Sequence, residues 1–456
     1  MAHRTLPELR ATAAHVDLVH SVYYLLMHGL FRVVGSVDPL LAMRLPSVAA
    51  AAAATAGVTA LGRRLAGLRA GVLAGVLFAV TPQVQRFAQE GRSYALVTAC
   101  VVWATYLLIR AVRGRSPWTW GGYTVLMLAA GLLHEFAILA LAAHVCAVPR
   151  DARRRWAAAT FVAVAGVAPL ALLSTGQSAQ VAWIGVDVGG LAWFAGACTV
   201  TALCARRLLA RPVPYPRTGD DSPEARLIRV ALPLAILPGA ILLLASLVHP
   251  LFVDRYVLYS IAGQALLIGT ALDRALRGRR TRTSVSVALT LAILGVSAYS
   301  PHLRTPDSRR DDATAIAHAV RQLAAPGDGV LYEPGRRRVW SLTSPQTFAG
   351  LRDIALAETP DRSGWLYGTE VSASAIRSRM LHERRIIVLS DPEGEPLDDS
   401  PAETVKRNVL FHEFQEHSTL RPHGARVSLY TRRSHGRSVT STAPSPDGPP
   451  GEERDR

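Results

Sequence analysis

A short polar stretch between two apolar segments carries several groups that can do chemistry. Residues 89–94 read Gln-Glu-Gly-Arg-Ser-Tyr, so the Glu90 carboxylate lies two residues before Arg92 and four before the Tyr94 hydroxyl. A carboxylate beside an arginine at a membrane surface can position a hydroxyl group and bind a phosphate. The alternative is a solvated loop with a local ion pair. From the residues alone both interpretations stay open; under the first, Glu90 and Arg92 are needed for activity.

Two other positions place ionisable side chains beside apolar runs. His134 and Glu135 separate two such runs, and an ionisable pair at membrane depth is costly, which makes it a functional candidate. A tight outer turn exposed to water is the equal alternative. Arg255 follows Asp254 just before another apolar run, where a lipid-linked phosphate would lie. Helix capping with a simple Asp–Arg pair is the alternative there.

Residues 16–34 form an apolar segment in which polar side chains recur. Asp17, His20, His28 and Arg32 are too frequent for a lipid-facing span, so an interfacial amphipathic helix is favoured over a degenerate span. Asp17 and His20 lie about one helical turn apart and can face one cavity, although a polar stripe without chemistry explains them equally well. We assign residues 1–44 to an outer loop that contains this helix.

Ten apolar stretches occupy residues 45–300 and predict a polytopic α-helical membrane domain of about ten spans. Several are shorter than the roughly 20 residues that cross the hydrocarbon core, and alanine-rich helices within a bundle can be shielded by their neighbours. The approximate bounds are 45–62, 70–84, 94–112, 119–133, 135–149, 157–173, 189–205, 229–247, 257–273 and 283–299.

Every second loop between these stretches is rich in arginine. Basic residues are retained on the cytoplasmic side of a membrane, so these loops mark the inside. The other loops hold only Arg86, Arg92 and Arg255, and face outside. The arginines of the inner loops are Arg63, Arg64, Arg69, Arg110, Arg113, Arg115, Arg150, Arg153, Arg154, Arg155, Arg206, Arg207, Arg211, Arg217, Arg274, Arg277, Arg279, Arg280 and Arg282.

The formal charge of +16 has the same origin. Residues 302–456 contain 22 basic and 22 acidic residues, so the whole excess lies in residues 1–301, mostly in the inner loops. Such a distribution indicates membrane topology and attraction to anionic lipid head groups, and it argues against a nucleic-acid partner. With 50% hydrophobic and 18% charged residues, the chain has the composition of a membrane protein.

The composition changes after residue 300. The sequence predicts a small α/β domain over 301–433. One helical pattern begins with two aspartates (DDATAIAHAVRQL), and two more lie around 371–382 and 402–416. Three apolar patterns are typical of strands: GVLYEP, RRIIVLSD and ARVSLYTRR. The alternation of inner and outer loops (the arginine parity) places this domain outside the membrane. It has no glycine fingerprint for nucleotides. The tail over 434–456 is rich in Pro, Gly and Ser and predicts disorder.

Four sequence blocks resemble a known family. LVHSVYYLLMHGLF, DPLLAMRLPSVAAA, LGRRLAGLRAGVLAG and PQVQRFAQEGRSYAL are similar, in order and spacing, to the GT-C polytopic glycosyltransferases of the mannosyltransferase/family 39 type, especially actinobacterial members. The resemblance covers roughly residues 5–300. It implies transfer of a mannose-like sugar from a polyprenyl-phosphate donor to a glycan, lipid or protein acceptor, on the outer face of the bacterial cytoplasmic membrane.

The resemblance also implies roles for individual residues. Inverting transfer needs a carboxylate as general base, and Asp17 is the best remaining candidate, with Glu90 as the second catalytic carboxylate. The residues implied in donor or phosphate binding are His20, Arg92, Tyr94, His134, Arg255 and Tyr256. No His, Asp or Glu spacing is typical of a metal site, which leaves the cofactor unknown and a divalent metal unsupported.

One departure from the family concerns the beginning of the chain. The family opens its first outer loop with an Asp-Glu motif directly after a first membrane helix, whereas this sequence begins with MAHRTLPEL, after that motif. Arginine parity independently places residue 1 outside. Both observations predict that Met1 is not the biological start, unless the chain is a natural truncation that lacks activity.

Two alternatives to the enzyme are a transporter or flippase of a lipid-linked saccharide and an inactive membrane scaffold. A transporter is expected to have internal repeats and ionisable residues at the bilayer midplane. The chain shows no repeat, and its polar groups cluster at the outer edge, which favours the enzyme.

Overall fold

The computed structural model describes residues 4–35, 37–114, 116–177, 188–210, 222–276, 301–305 and 308–433, with residue 2 and scattered residues between 283 and 298. The chain divides into two compact units. The first comprises residues 1–309 and 358–368, and the second comprises residues 310–357 and 369–456. The predicted tail over 434–456 lies outside the described residues.

The first unit is helical, as the apolar stretches predict. Short 3₁₀ helices at Leu18–His20, Glu135–Leu139 and Asp254–Val257 lie between the longer elements. The α-helices are α1 (Leu6–His15), α2 (Ser21–Val33), α3 (Pro39–Ala66), α4 (Leu68–Val80), α5 (Pro82–Ala88), α6 (Tyr94–Arg113), α7 (Pro117–Leu133), α8 (Ala140–Ala147), α9 (Arg153–Ser174), α10 (Val188–Ala210), α11 (Pro223–Ala245) and α12 (Ser260–Leu276).

Four stretches of the described chain are long and apolar enough to cross a membrane. They are Pro39–Ala66, Tyr94–Arg113, Arg150–Gln177 and Pro223–Ala245, and a fifth results if α4 and α5, bent by 64°, count as one broken span. The fold class of a multi-pass helical membrane protein is therefore confirmed. The count of ten stays a prediction, because α4, α7 and α12 are shorter than 18 residues and the stretch 283–299 lies largely outside the described residues.

Local chemistry explains the paired helices α3 and α4. The Asp38 side chain caps α3 by accepting a hydrogen bond from the Leu41 amide at 3.0 Å, and Pro39 takes the first helical position. The chain turns at Gly67, whose φ of 104° favours glycine. The helices then contact each other at Gly62 and Gly71. A Cβ atom on Gly62 would collide with the Gly71 backbone, and one on Gly71 would collide with the α3 backbone at Thr59 and Arg63.

A buried polar network joins helices α6 to α9. The His144 ring nitrogens lie 3.0 Å from the Tyr123 hydroxyl and 2.9 Å from the Thr105 hydroxyl, and the Trp156 indole donates to Tyr123 at 3.1 Å. Every member of this network has a partner, so it stabilises one arrangement of these helices. Because Tyr123 lies on α7 and His144 on α8, their contact also positions the segment between these helices, which carries His134.

The second unit contains the predicted α/β domain. Its strands are β1 (Gly329–Glu333), β2 (Arg352–Asp353), β3 (Leu356–Glu358), β4 (Thr369–Glu370), β5 (Arg385–Ser390), β6 (Phe414–Leu420) and β7 (Arg426–Arg432). The main helices are α13 (Ala313–Leu323), α14 (Ala373–Leu381) and α15 (Pro401–Glu413), and shorter ones cover Val339–Thr343 and Pro345–Phe348. The short helix Pro360–Ser363 belongs to the first unit.

Five of these strands form one sheet in the order β2-β1-β5-β7-β6, and β3 pairs with β4 separately. Strand β1 is parallel to β2 and β5, while β7 is antiparallel to β5 and β6. Alternate residues of β5 join different cores: Ile387 packs with α13 residues on one face, and Ile386 packs with α14 and α15 residues on the other. The sheet is therefore covered by helices on both faces.

The three strand patterns read from the sequence correspond to β1, β5 and β7, and the acid-started helix is α13. Asp312 caps α13 by accepting hydrogen bonds from two amides at 3.0 Å. One prediction was wrong in detail: the helical pattern around 402–416 ends at Glu413, and the chain continues as β6. Among the described strands, β6 lies at one edge of the sheet and pairs with β7, and its residues 415–417 are exposed, so its polar sequence has no apolar alternation.

The carboxyl group of Glu333, at the end of β1, predicts a pH-dependent stability of the second unit. Burial and the neighbouring Glu403 raise the pKa of Glu333 from 4.5 to about 7. A carboxyl whose pKa is higher in the folded state binds its proton more tightly there. Stability is therefore present below pH 4.5 and is lost as the pH rises through about 7. Glu333→Gln should stabilise this unit by about 1–3 kcal/mol at pH 8 and leave it unchanged at pH 4.

Hydrogen exchange of the β1 and β5 amides in the full chain measures this effect, because it reports opening of the second unit alone. Glu358→Gln is the control, since Glu358 is exposed and its replacement should change exchange at neither pH. Equal protection of wild type and Glu333→Gln at pH 8 would contradict the prediction.

Candidate active site

The first unit contains a cavity of about 1190 Å³ that brings together every residue predicted for the site. Its lining comes from segments that are distant in sequence: the turn after α1, the α5–α6 loop, the segment after α7 and the loop before α12. The predicted residues in this lining are Asp17, His20, Glu90, Arg92, Tyr94, His134, Arg255 and Tyr256.

Asp17 is held in an unusual conformation at the edge of this cavity. It has φ 60° and ψ 36°, in the left-handed region that aspartate tolerates better than most residues. The Tyr24 hydroxyl donates a hydrogen bond to its carboxylate. Arg92 Nη1 lies 4.0 Å from Oδ2 and His20 Nε2 lies 3.9 Å from Oδ1. The carboxylate is partly exposed and surrounded by donors, which is an arrangement that suits a general base.

The Glu90–Arg92 loop is fixed by a residue of the RLPS block. The hydroxyl of buried Ser47 lies 2.7 Å from the carbonyl oxygen of Glu90 and 3.2 Å from that of Arg92. Between them, Gly91 packs so closely against Met43 that a Cβ atom would collide with that side chain. The DPLLAMRLPSVAAA block and the PQVQRFAQEGRSYAL block, which are separate in the sequence, are therefore in direct contact in the structure.

Glu90 itself is held by two arginines. Its Oε1 accepts from Arg309 Nη1 at 3.0 Å and lies 3.4 Å from Arg86 Nε, while Oε2 has no hydrogen-bond partner among the described residues. A carboxylate fixed between two guanidinium groups is well placed to orient a substrate hydroxyl. This geometry favours a positioning role for Glu90 over proton abstraction.

Aromatic rings and histidines surround Arg255. Arg255 Nε donates to the Tyr94 hydroxyl at 3.2 Å, and its guanidinium carbon lies 5.5 Å from the centre of the Tyr256 ring and 5.9 Å from that of Tyr94. The Tyr256 and His134 ring centres are 4.6 Å apart. An arginine oriented in this way over two rings suits recognition of a phosphate.

The two histidines predicted for the site, His20 and His134, differ in their partners. The ring centres of His20 and His134 are 5.5 Å apart. Burial lowers the pKa of His20, although Asp17 acts in the opposite direction, so His20 is neutral at pH 7. His134 is 3% exposed, and its Nδ1 has no hydrogen-bond partner among the described residues. An unsatisfied nitrogen in the wall of a cavity is a natural contact for a bound ligand.

Sequence reasoning missed several supporting residues. Tyr24 was within reach, because it follows Asp17 by two helical turns. Gln177 joins distant segments by accepting from the Leu18 amide at 3.0 Å and donating to the Ala13 carbonyl at 2.9 Å. Neither Gln177 nor Arg309 carries a local pattern that indicates the site. Within the described part of the chain, no group of three or more His, Cys, Asp or Glu side chains is arranged to hold a metal ion.

Comparison with known proteins finds a family match over about a third of the chain. Residues 21–177 match the family model of the dolichyl-phosphate-mannose-protein mannosyltransferases, which confirms the resemblance to the GT-C membrane glycosyltransferases. The matched region contains Glu90, Arg92, Tyr94 and His134. The other four site residues lie outside it.

Other comparisons add less. A cryo-EM structure of a mutant of the arabinofuranosyltransferase AftD from mycobacteria is similar with a TM-score of 0.44 and 16% sequence identity. The alignment covers 92% of this chain and 37% of that chain, so the present chain spans little more than a third of that structure. Among curated proteins, none matches the chain.

Proposed function

We propose that this chain is a membrane glycosyltransferase that moves a mannose-like sugar from a polyprenyl-phosphate donor to a glycan, lipid or protein acceptor. The observation that carries the proposal is the convergence of all eight predicted residues on one cavity. They come from four separate segments, and a set of unrelated surface polar residues would not be expected to meet in this way. By arginine parity the cavity opens on the outer face of the bacterial cytoplasmic membrane.

The arrangement supports a single-displacement reaction. In this mechanism Asp17 removes the proton from the acceptor hydroxyl, whose oxygen then attacks the anomeric carbon of the donor sugar. The bond between that carbon and the phosphate oxygen breaks with inversion, and polyprenyl phosphate leaves with the electron pair. Arg92 and Arg255 stabilise the negative charge of the leaving phosphate, and Glu90 orients the acceptor.

The adjacent, mutually tilted aromatic rings of the site suit the sugar part of the donor. Tyr94, His134, Phe136 and Tyr256 form a continuous aromatic group with centre-to-centre distances of 4.6–6.2 Å. Aromatic faces pack against the apolar faces of sugar rings while a hydroxyl or imidazole at their edge can hydrogen-bond. A sugar held against this group would lie beside both Arg255 and the unpartnered Nδ1 of His134.

A transfer assay with the full chain tests the proposal. The protein in lipid nanodiscs is mixed with polyprenyl-phosphate mannose that is radiolabelled in the sugar, and with cell-envelope extract as acceptor; donors that carry other sugars run in parallel. We expect label in the acceptor and release of unlabelled polyprenyl phosphate. In proteoliposomes, movement of intact donor across the bilayer without transfer would support the transporter instead. Neither transfer nor movement would support the inactive scaffold.

Ser47→Ala tests whether the loop that carries Glu90 must be held in place. Loss of the hydroxyl removes the contact with two loop carbonyls, and a misplaced catalytic loop can cost about tenfold to a hundredfold in kcat. The cost in the free energy of unfolding should be only about 1 kcal/mol. Thr55→Ala is the control, because within the described part of the chain that hydroxyl bonds to the Ala51 carbonyl of its own helix and to no loop. An equal loss of activity in both variants would contradict the loop-holding role.

A further inference from the structure

A second cavity of the first unit lies at the helix ends that carry the predicted inner loops. It has a volume of about 330 Å³ and is formed by the α3–α4 turn, the beginning of α11 and the end of α12. By arginine parity all three segments face the cytoplasm, whereas the candidate active site belongs to outer segments. The two cavities share no lining residue.

The lining of this inner cavity is strongly basic. It contains Arg64, Arg226 and Arg274 but only one carboxylate, that of Glu224. Within the described part of the chain, neither Arg64 nor Arg226 has an ion-pair or hydrogen-bond partner for its side chain. Gly67 and Pro223, at the beginnings of α4 and α11, also line the cavity. The two arginines without partners among the described residues, Arg64 and Arg226, therefore suit a negatively charged group.

Glu224 adds a second requirement. The residue is 6% exposed, and one carboxylate oxygen, Oε1, pairs with Arg274. Its other oxygen, Oε2, is buried and has no hydrogen-bond partner among the described residues. A buried acceptor without a partner is costly, and a bound group with a hydrogen-bond donor would satisfy it. The ligand must therefore carry a negative charge and, within a few ångströms, a donor such as a hydroxyl.

We propose that this cavity binds the head group of phosphatidylglycerol from the inner leaflet. Its phosphodiester supplies the charge for Arg64 and Arg226, and its glycerol hydroxyls supply the donor for Glu224 Oε2. A membrane lipid is favoured over a soluble phosphate because α3 and α11, which carry these residues, are long and apolar enough to span the membrane. Basic pockets between membrane helices on the cytoplasmic side bind anionic lipid head groups in this way.

Lipid retention measures the proposed site without any transfer assay, so its result is independent of the proposed function. The full chain is reconstituted with equal amounts of phosphatidylglycerol and phosphatidylcholine, extracted in mild detergent and weighed by native mass spectrometry. We expect phosphatidylglycerol to be retained over phosphatidylcholine. The double variant Arg64→Gln, Arg226→Gln should lower that preference by roughly tenfold. Arg63→Gln is the matched control, because Arg63 is exposed on the same helical turn and does not line the cavity.

Further variants and competitors separate the head-group chemistry. Glu224→Gln keeps the size of the side chain. It should lower the retention of phosphatidylglycerol and leave the retention of phosphatidylcholine unchanged. If this variant fails to fold, the arginine variants decide alone. Equal retention of the two lipids by the wild type, or an equal effect of Arg63→Gln, would overturn the proposal. Displacement of the lipid by millimolar glycerol phosphate would also overturn it, since the cavity would then bind a soluble phosphate.

Discussion

Asp17→Asn is expected to lower the rate of sugar transfer by about 10²–10⁴-fold, with little change in the apparent affinity for the donor. Asparagine has the same shape, and its carbonyl oxygen can still accept the hydrogen bond from Tyr24. It cannot accept a proton from the acceptor hydroxyl at neutral pH. The measurement is kcat at saturating polyprenyl-phosphate sugar, with binding of the donor followed separately.

Two comparisons make this result specific to the base. Asp38→Asn removes a carboxylate that does not line the cavity, and asparagine caps α3 as well as aspartate does, so activity should be unchanged. Glu90→Gln should cost less than Asp17→Asn, because Glu90 is held by Arg86 and Arg309 and is assigned to positioning. The reverse order would move the base from Asp17 to Glu90. Full activity of both variants would remove the acid–base assignment altogether.

The sequence predicted elements well where one physical signal dominates. Strand β5 is a run of β-branched and aliphatic residues covered on both faces, and this pattern has few alternatives. Strand β6 was missed because an exposed edge strand needs no apolar residues. The boundary between α4 and α5 was missed because the predicted span 70–84 was carried through Thr81-Pro82-Gln83 to Val84, although Pro82 is a typical first residue of a new helix.

The site was predictable in membership but not in geometry. Ionisable residues at the ends of apolar stretches are costly unless they are used, which singled out residues such as His134 and Arg255. The contacts that distinguish their roles are tertiary. Glu90 and Arg309 are 219 positions apart in the chain, and no local pattern indicates that they pair. The support of the Glu90 loop by Ser47 likewise depends on how α3 packs beside it.

The conformation of Asp17 shows the same limit. Its sequence context predicted a helical position one turn before His20, whereas the structure places it between α1 and a short 3₁₀ helix with positive φ. Such a conformation costs roughly 1–2 kcal/mol for a residue with a side chain, so surrounding contacts must stabilise it. Those contacts, from Tyr24 and Gln177, are again outside the reach of local sequence patterns.

Arg255→Lys is the second prediction with a large expected effect: the KM for the polyprenyl-phosphate donor should rise about tenfold to a hundredfold. Lysine keeps the positive charge but has neither the Nε donor that bonds to Tyr94 nor the planar group that lies over the two tyrosine rings. A phosphate would then meet a mobile point charge in place of an oriented fork. Because the charge remains, kcat should fall less than the affinity does.

A double-mutant cycle with Tyr94→Phe separates orientation from simple loss of structure. Removing the Tyr94 hydroxyl should raise the same KM by a smaller factor, and the two changes together should be less than additive because each breaks the same hydrogen bond. Arg32→Lys, at an exposed position of α2 outside the cavity, should leave the KM unchanged. An unchanged KM in Arg255→Lys would mean that charge alone suffices, and additive effects would mean that Tyr94 acts on the donor directly and not through Arg255.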